Sequence, residues 1–274
     1  MSNSKRPDTR IVHTGSNPKA QKGAVNPPVY RASTVLFPTV QAMKDAEKVK
    51  FDTTYYGVHG TPTTFALEEA MADLEGGYRA VSTSSGLAAI STALISFLKA
   101  GDHLLMTDSA YGPTRNFCNT MLKRFGVETT YYDPMIGAGI VELIKPETKV
   151  IFTESPGSYT FEIQDIPAIT EVARQNNIKV MMDNTWAAGY YFKPFEHGVD
   201  ISIQATTKYQ AGHADLVLGH IIANNEKDWR KLKVNTSTLG QAVSPDVCYL
   251  GLRGLRTLSV RLEQHQETAL TLAK

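Results

Sequence analysis

Val199-Asp200-Ile201-Ser202-Ile203-Gln204-Ala205-Thr206-Thr207-Lys208-Tyr209-Gln210-Ala211-Gly212-His213-Ala214-Asp215 is the stretch that decides the fold. Val199, Ile201, Ile203 and Ala205 alternate with Asp200, Ser202 and Gln204. That period of two reads as a β-strand delivering its last residues into a turn. Lys208 stands at the strand's end. A lysine held there beside hydroxyls can be desolvated enough to act as an amine nucleophile toward carbonyls. Taken alone it reads first as a solvated surface lysine, so the nucleophile reading depends on the rest of the chain.

Working outward, short apolar runs alternate with helical spacing. Strands are predicted at 103–107, 150–153, 179–182, 199–205 and 216–223, and helices at 113–125 and 165–176 between them. Phe65, Leu67, Ala70, Met71 and Leu74 recur at helical spacing, and Gly76-Gly77 ends that helix. Ser82-Thr83-Ser84-Ser85-Gly86 opens another helix running through Leu98. Strands alternating with helices predict an α/β fold, a mostly parallel sheet covered on both faces. Residues 1–60 are rich in Pro, Gly, Ser and Thr, with one short helix near 40–49. Such a segment builds no core of its own and is expected to wrap another surface as an N-terminal arm.

Composition narrows the function classes. Lys plus Arg total 28 and Asp plus Glu 27 in 274 residues, so no basic field draws the chain to nucleic acid or anionic membrane. No run approaches the roughly 18 apolar residues of a membrane span, and no signal peptide follows Lys5-Arg6. Cys118 and Cys248 stand far apart with no metal-binding or redox spacing, so a reduced, cytoplasmic setting is expected and no metal.

In open α/β sheets ligands bind where strand ends meet the following turns. Ser84-Ser85-Gly86-Leu87 sets small residues at a helix N-terminus, which reads as a phosphate cradle or as an ordinary serine cap. Tyr111 follows the next strand and can stack on a planar ligand or pack over its own turn. Glu154-Ser155-Pro156-Gly157-Ser158 forms the third turn. Asp183 ends an apolar strand and can hold a protonated ring nitrogen or cap the next helix. Lys208 comes last. A phosphate site, an aromatic plate, an acid and a nucleophilic amine together match pyridoxal 5′-phosphate.

Three segments make the match specific: Asp183-Asn184-Thr185-Trp186-Ala187-Ala188-Gly189, the run 205–215, and residues 253–265. On these the chain resembles the cystathionine gamma-synthase/beta-lyase family of pyridoxal-phosphate enzymes along essentially its whole length. The resemblance implies the fold type I large domain with a seven-stranded-type sheet. It makes 1–60 an arm contacting a neighbouring subunit, 61–255 the cofactor-binding domain, and 256–274 the start of a linker helix toward a further C-terminal domain. Lys208 becomes the Schiff-base lysine, Asp183 the pyridine-nitrogen partner and Tyr111 the stacking ring. Ser85, Gly86, Leu87 and Thr207 are expected at the phosphate, and Tyr56 is expected to cross to the neighbouring subunit's site. Tyr111 and Tyr56 join Lys208 as catalytic candidates, and Ser158 and Trp186 face the substrate.

Within the family, Glu154-Ser155-Pro156-Gly157-Ser158 and the Trp-Ala-Ala-Gly at 186–189 resemble bacterial cystathionine beta-lyases. This implies beta-elimination of L-cystathionine to homocysteine, pyruvate and ammonia in methionine biosynthesis, by a dimer-built homotetramer with no nucleic-acid or membrane partner. A gamma-acting member is the alternative within the same chemistry. A catalytically impaired fragment serving as an assembly partner is the alternative outside it. A nicotinamide dehydrogenase is disfavoured, since Gly137-Ala138-Gly139 lacks the third glycine. Two departures fall on the phosphate side. Val58 stands where the family carries an arginine, a charge-assisted contact worth about 1.5–3 kcal/mol, and Ala205 stands where many members carry serine. Arg253, Arg256 and Arg261 match motif arginines of the linker and are not assigned to the substrate carboxylate.

Overall fold

The strand predicted at 103–107 forms over His103–Thr107, inside a seven-stranded sheet. The structure is a computed structural model that describes residues 6–274; residues 1–5, the start of the predicted arm, lie outside it. Its elements run α1 (Pro7–His13), α2 (Val40–Lys48), α3 (Pro62–Glu75), β1 (Arg79–Thr83), α4 (Gly86–Phe97), β2 (His103–Thr107), α5 (Gly112–Phe117) and β3 (Glu128–Tyr132). There follow β4 (Thr148–Glu154), α6 (Ile166–Gln175), β5 (Lys179–Asp183), β6 (Ile201–Gln204), β7 (Gly219–Ala223), α7 (Glu226–Thr238), α8 (Pro245–Leu255) and α9 (Leu258–Leu272). The sheet order is β1-β7-β6-β5-β4-β2-β3. β7 runs antiparallel to β1 and β6, and the other pairs are parallel.

Side chains alternate across this sheet, and each face has its own core. Met106, Phe152, Met181, Ile201, Ile203 and Ile221 pack under α4 and α7, against Ile90, Leu94, Trp229 and Leu232. On the other face Leu105, Ile151, Val180 and Met182 meet Ile166 and Ile169 of α6. Beside them, Ile222 packs with Leu67 and Met71 of α3 and Leu252 of α8. Each such fully buried side chain contributes roughly 1.5–3 kcal/mol of transfer free energy. Among the described residues, no helix is long and apolar enough to cross a membrane.

Two strands escaped the sequence reading, and both are sheet edges. β1 (Arg-Ala-Val-Ser-Thr) and β3 (Glu-Thr-Thr-Tyr-Tyr) carry few aliphatic residues. An edge strand needs no apolar run on both faces, so the strongest strand signal is missing there. The predicted helix 113–125 begins as α5 and continues through a π-helical turn at Cys118–Leu122. Gly137-Ala138-Gly139 lies in a short 3₁₀ segment, Gly137–Leu143, that opens no phosphate-binding α-helix.

Helix α3 ends as expected: Gly76 takes φ +80° and its N–H bonds the Ala72 carbonyl at 2.9 Å. The first described residues of the predicted arm dock on their own domain. Ile11 is buried with α3 and α8, Arg10 pairs with Asp73 at 2.5 Å, and the Arg256 guanidinium donates to the carbonyls of Ile11, Val12 and Thr14. At the other end Leu258 and Leu262 of α9 still belong to this core, while residues 263–274 are exposed.

Candidate active site

β4, β5 and β6 end side by side, and their turns open into one cavity of about 900 Å³. Its lining includes Ser85, Gly86, Leu87, Tyr111, Glu154, Ser158, Asp183, Trp186, Thr207 and Lys208. Every predicted site residue except Tyr56 is therefore brought to a single place.

Glu154 and Asp183 are register partners at the ends of β4 and β5. Both are buried. Ser158 Oγ donates to Glu154 Oε1 at 2.6 Å and the Tyr111 N–H donates to Oε2 at 2.8 Å. Asp183 Oδ1 accepts from the Thr185 N–H at 3.0 Å. Burial pushes both carboxyls above the ordinary range, and the charge of Asp183 adds to the rise at Glu154. Among the described residues no lysine or arginine contributes to relieve either acid. Two adjacent buried carboxyls of this kind call for a proton or a cationic group of a ligand. Sequence reasoning quoted Glu154 only as part of a turn. The overlooked signal was that two successive parallel strands each end in an acid.

The helix end meets an anion's needs. Ser85 caps α4 by accepting the Ala88 N–H at 3.0 Å, leaving the Gly86 and Leu87 N–H groups without intrahelical acceptors at the positive end of the dipole. Both readings of this segment hold together, since the serine caps the helix and the cradle remains. Gly86 has to be glycine, because a β-carbon there would sit 2.6 Å from that of Ala205. Thr207 is less available than expected. Its hydroxyl donates to the Leu218 carbonyl at 3.1 Å and accepts the Leu218 N–H at 3.0 Å, so its only proton is committed to the chain's own backbone.

Lys208 lies in the turn after β6, where its N–H bonds the Ala205 carbonyl at 2.9 Å and its carbonyl receives Gly212. The side chain is exposed within the cavity. This corrects the expectation of a desolvated amine: the turn carries Lys208 past the close-packed strand end into a wide opening. Around the mouth, Phe161 meets Trp186 edge-on at 5.2 Å and Trp186 tilts against Tyr209 at 6.2 Å. Phe161, Tyr209, Arg261 and His265 line the cavity without having been singled out for it.

Tyr56 stays away from this cavity and packs edge-on against His59 at 5.9 Å. His59 Nδ1 in turn meets Ser237 Oγ at 3.1 Å, and Val58 lines a separate small pocket with Glu68, Lys233 and Gln241.

The model of the Cys/Met metabolism PLP-dependent enzyme family matches residues 8–274. The chain is 45% identical over 269 residues to the cystathionine beta-lyase of Haemophilus influenzae, covering 97% of this chain and 68% of that protein. It is 44% identical over 273 residues to cystathionine beta-lyase MetC of Escherichia coli K12, covering 98% and 69%. A protein of Rhizobium johnstonii is 53% identical over 267 residues, covering 97% of this chain and 66% of its own length. The crystal structure of metB from Corynebacterium glutamicum superposes with a TM-score of 0.88 at 32% identity, covering 94% of this chain and 65% of that one. The chain thus spans about two thirds of the length of the relatives it matches.

Proposed function

Because this chain belongs to the Cys/Met metabolism PLP-dependent enzymes, we propose that it acts as a carbon–sulfur beta-lyase, cleaving L-cystathionine to homocysteine, pyruvate and ammonia. The observation that carries the reading is one cavity holding a buried carboxyl pair, a helix N-terminus and an exposed lysine. The acid pair suits a protonated ring nitrogen, the α4 N–H groups suit a phosphate, and the amine suits an aldehyde. The donor set fits pyridoxal phosphate.

When bound, pyridoxal phosphate supplies an electron sink for negative charge at the substrate α-carbon. The rest falls to the chain's own groups. Gly86 N–H and Leu87 N–H would hold the phosphate, and the Asp183 carboxylate would accept the ring's N–H proton in a hydrogen bond. Tyr111, its backbone fixed by Glu154, would cover the ring. Lys208 Nζ would anchor the cofactor and, once free as an amine, would take the proton from the substrate α-carbon. Ser158 and Trp186 stand where the substrate enters. The proton held on Lys208 would pass to the departing β-thiolate, giving homocysteine, and water would convert the remaining three-carbon fragment to pyruvate and ammonia.

The proposal extends to a cytoplasmic, dimer-built homotetramer in which Tyr56 completes the neighbouring subunit's site. Its position outside its own chain's cavity supports that arrangement. The names of the relatives favour beta- over gamma-elimination. The test is product analysis with L-cystathionine: pyruvate and homocysteine are expected, and 2-oxobutanoate in place of pyruvate would assign the chain to gamma chemistry.

A further inference from the structure

A third buried acid sits beneath the two strand ends, on the face of the sheet away from the cavity. Side-chain alternation puts Asp183 on the α4 side with Met181, and puts Ser202 and Gln204 on the opposite side. There Glu75, the last residue of α3, is completely buried (0% exposed). Ser202 Oγ donates to its Oε2 at 3.0 Å, Asn184 Nδ2 donates to Oε2 at 3.2 Å, and Gln204 Nε2 donates to Oε1. Ser202 and Gln204, two of the three polar residues in the 199–205 alternation, are therefore ligands of one carboxylate.

The partners of Glu75 belong to both strand ends of the proposed site. Asn184 follows Asp183 directly. Gln204 also donates to the Asn184 carbonyl at 2.9 Å, and its own Oε1 accepts Gln210 Nε2 at 2.6 Å, from the turn that carries Lys208. Gly189 closes the turn after Asp183 over the carboxylate at φ +66°, where a β-carbon would fall 2.6 Å from Glu75 Oε1. Lys193 Nζ ties the same turn to α3, donating to the carbonyls of Gly189 and Leu74.

We infer that Glu75 is a positioning residue: by accepting from Asn184, Ser202 and Gln204 it fixes the β5 and β6 exits relative to each other, and with them Asp183 and Lys208. The inference rests on the cofactor site proposed above. An acceptor-only side chain suits three donors in a dry site: losing it would strand the Ser202 hydroxyl and leave the Asn184 and Gln204 amides one hydrogen bond each, to the carbonyls of Phe192 and Asn184. A glutamine can substitute, because Asn184 Oδ1 is buried without a partner and can accept the new amide hydrogen once the Asn184 amide turns. Leucine offers nothing to the donors.

The test uses the cofactor-loaded chain and reads the cofactor dissociation constant and the pH midpoint of its visible absorbance, neither of which needs turnover. Glu75→Leu is expected to weaken cofactor binding about tenfold or more and to move the midpoint by about half a unit, whereas Glu75→Gln stays within about threefold. Should Glu75→Leu fail to fold, Gln204→Met, which removes the link to both strand ends, takes its place with the same expectation. A folded leucine variant with binding within about twofold of wild type and an unmoved midpoint overturns the inference and leaves the cofactor site standing. A wild-type chain that gives no visible band overturns the site reading and this inference together.

Discussion

Replacing Glu75 by glutamine removes one proton-binding group from the interior while keeping its volume. Burial raises the Glu75 carboxyl from an ordinary value of 4.5 to about 7, against the pull of hydrogen bonds from Gln204, Ser202 and Asn184 and the charge of Lys193. An acid with a raised folded-state pKa stabilises the fold fully below its unfolded value and loses that contribution as pH rises through the folded one. The window for Glu75 therefore runs from 4.5 to about 7, and over it the contribution falls by about 3 kcal/mol. His220 works in the opposite sense. Burial lowers its imidazole to about 3, so below the ordinary histidine value the unfolded chain binds a proton that the fold refuses. The informative quantity is thus the difference between wild type and variant at each pH, in which His220 cancels. The other charges around Lys193 (Arg10, Asp73 and Glu196) are likewise common to both proteins. Calorimetry of the cofactor-free chain is expected to show the melting temperature of wild type gaining on Glu75→Gln by on the order of 5–10 °C from pH 8 to pH 5. A difference that stays flat across that range would refute the reasoning.

The Glu68–Lys233 pair is buried at 3.0 Å, and Glu68 also accepts the Ser82 N–H at 2.9 Å. Lys233→Met leaves an uncompensated acid and should cost about 3–5 kcal/mol by denaturant midpoint, of which adding Glu68→Gln recovers at least half. Gly86→Ala drives a β-carbon to 2.6 Å from Ala205. The helix end must shift by the equivalent of about 1–3 kcal/mol, and cofactor titration should show binding weakened about tenfold with the far-UV spectrum unchanged.

Apolar periodicity made the interior strands legible. β2 formed at its predicted residues, and the β4, β5 and β6 predictions stand within two residues of the observed ends. The edges β1 and β3 were hidden because their Ser, Thr and Tyr residues find partners through tertiary contacts, as when Ser82 Oγ meets His220 Nε2 at 3.1 Å. The strand-end rule led to Asp183 and Lys208 from one sequence alone. It left unseen what depends on distant parts of the chain meeting in space. Glu75 is 109 residues before Asn184, and nothing local marks it as the acid beneath that turn. Thr207 looked free for a phosphate because its commitment to Leu218 arises only once β7 folds back beside the turn. Lys208 looked desolvated because the width of the cavity is set by α4, α9 and the 155–164 loop, elements far from it in sequence.

In the proposed site, Lys208 is the residue that anchors the cofactor. Loading the chain with pyridoxal phosphate, reducing the lysine–cofactor bond with borohydride and mapping the modified peptide by mass spectrometry tests it without relying on turnover. The phosphopyridoxyl group is expected on Lys208 and is expected to disappear in Lys208→Ala. Stoichiometric label on Lys193, Lys233 or another lysine, with Lys208 unmodified, would contradict it.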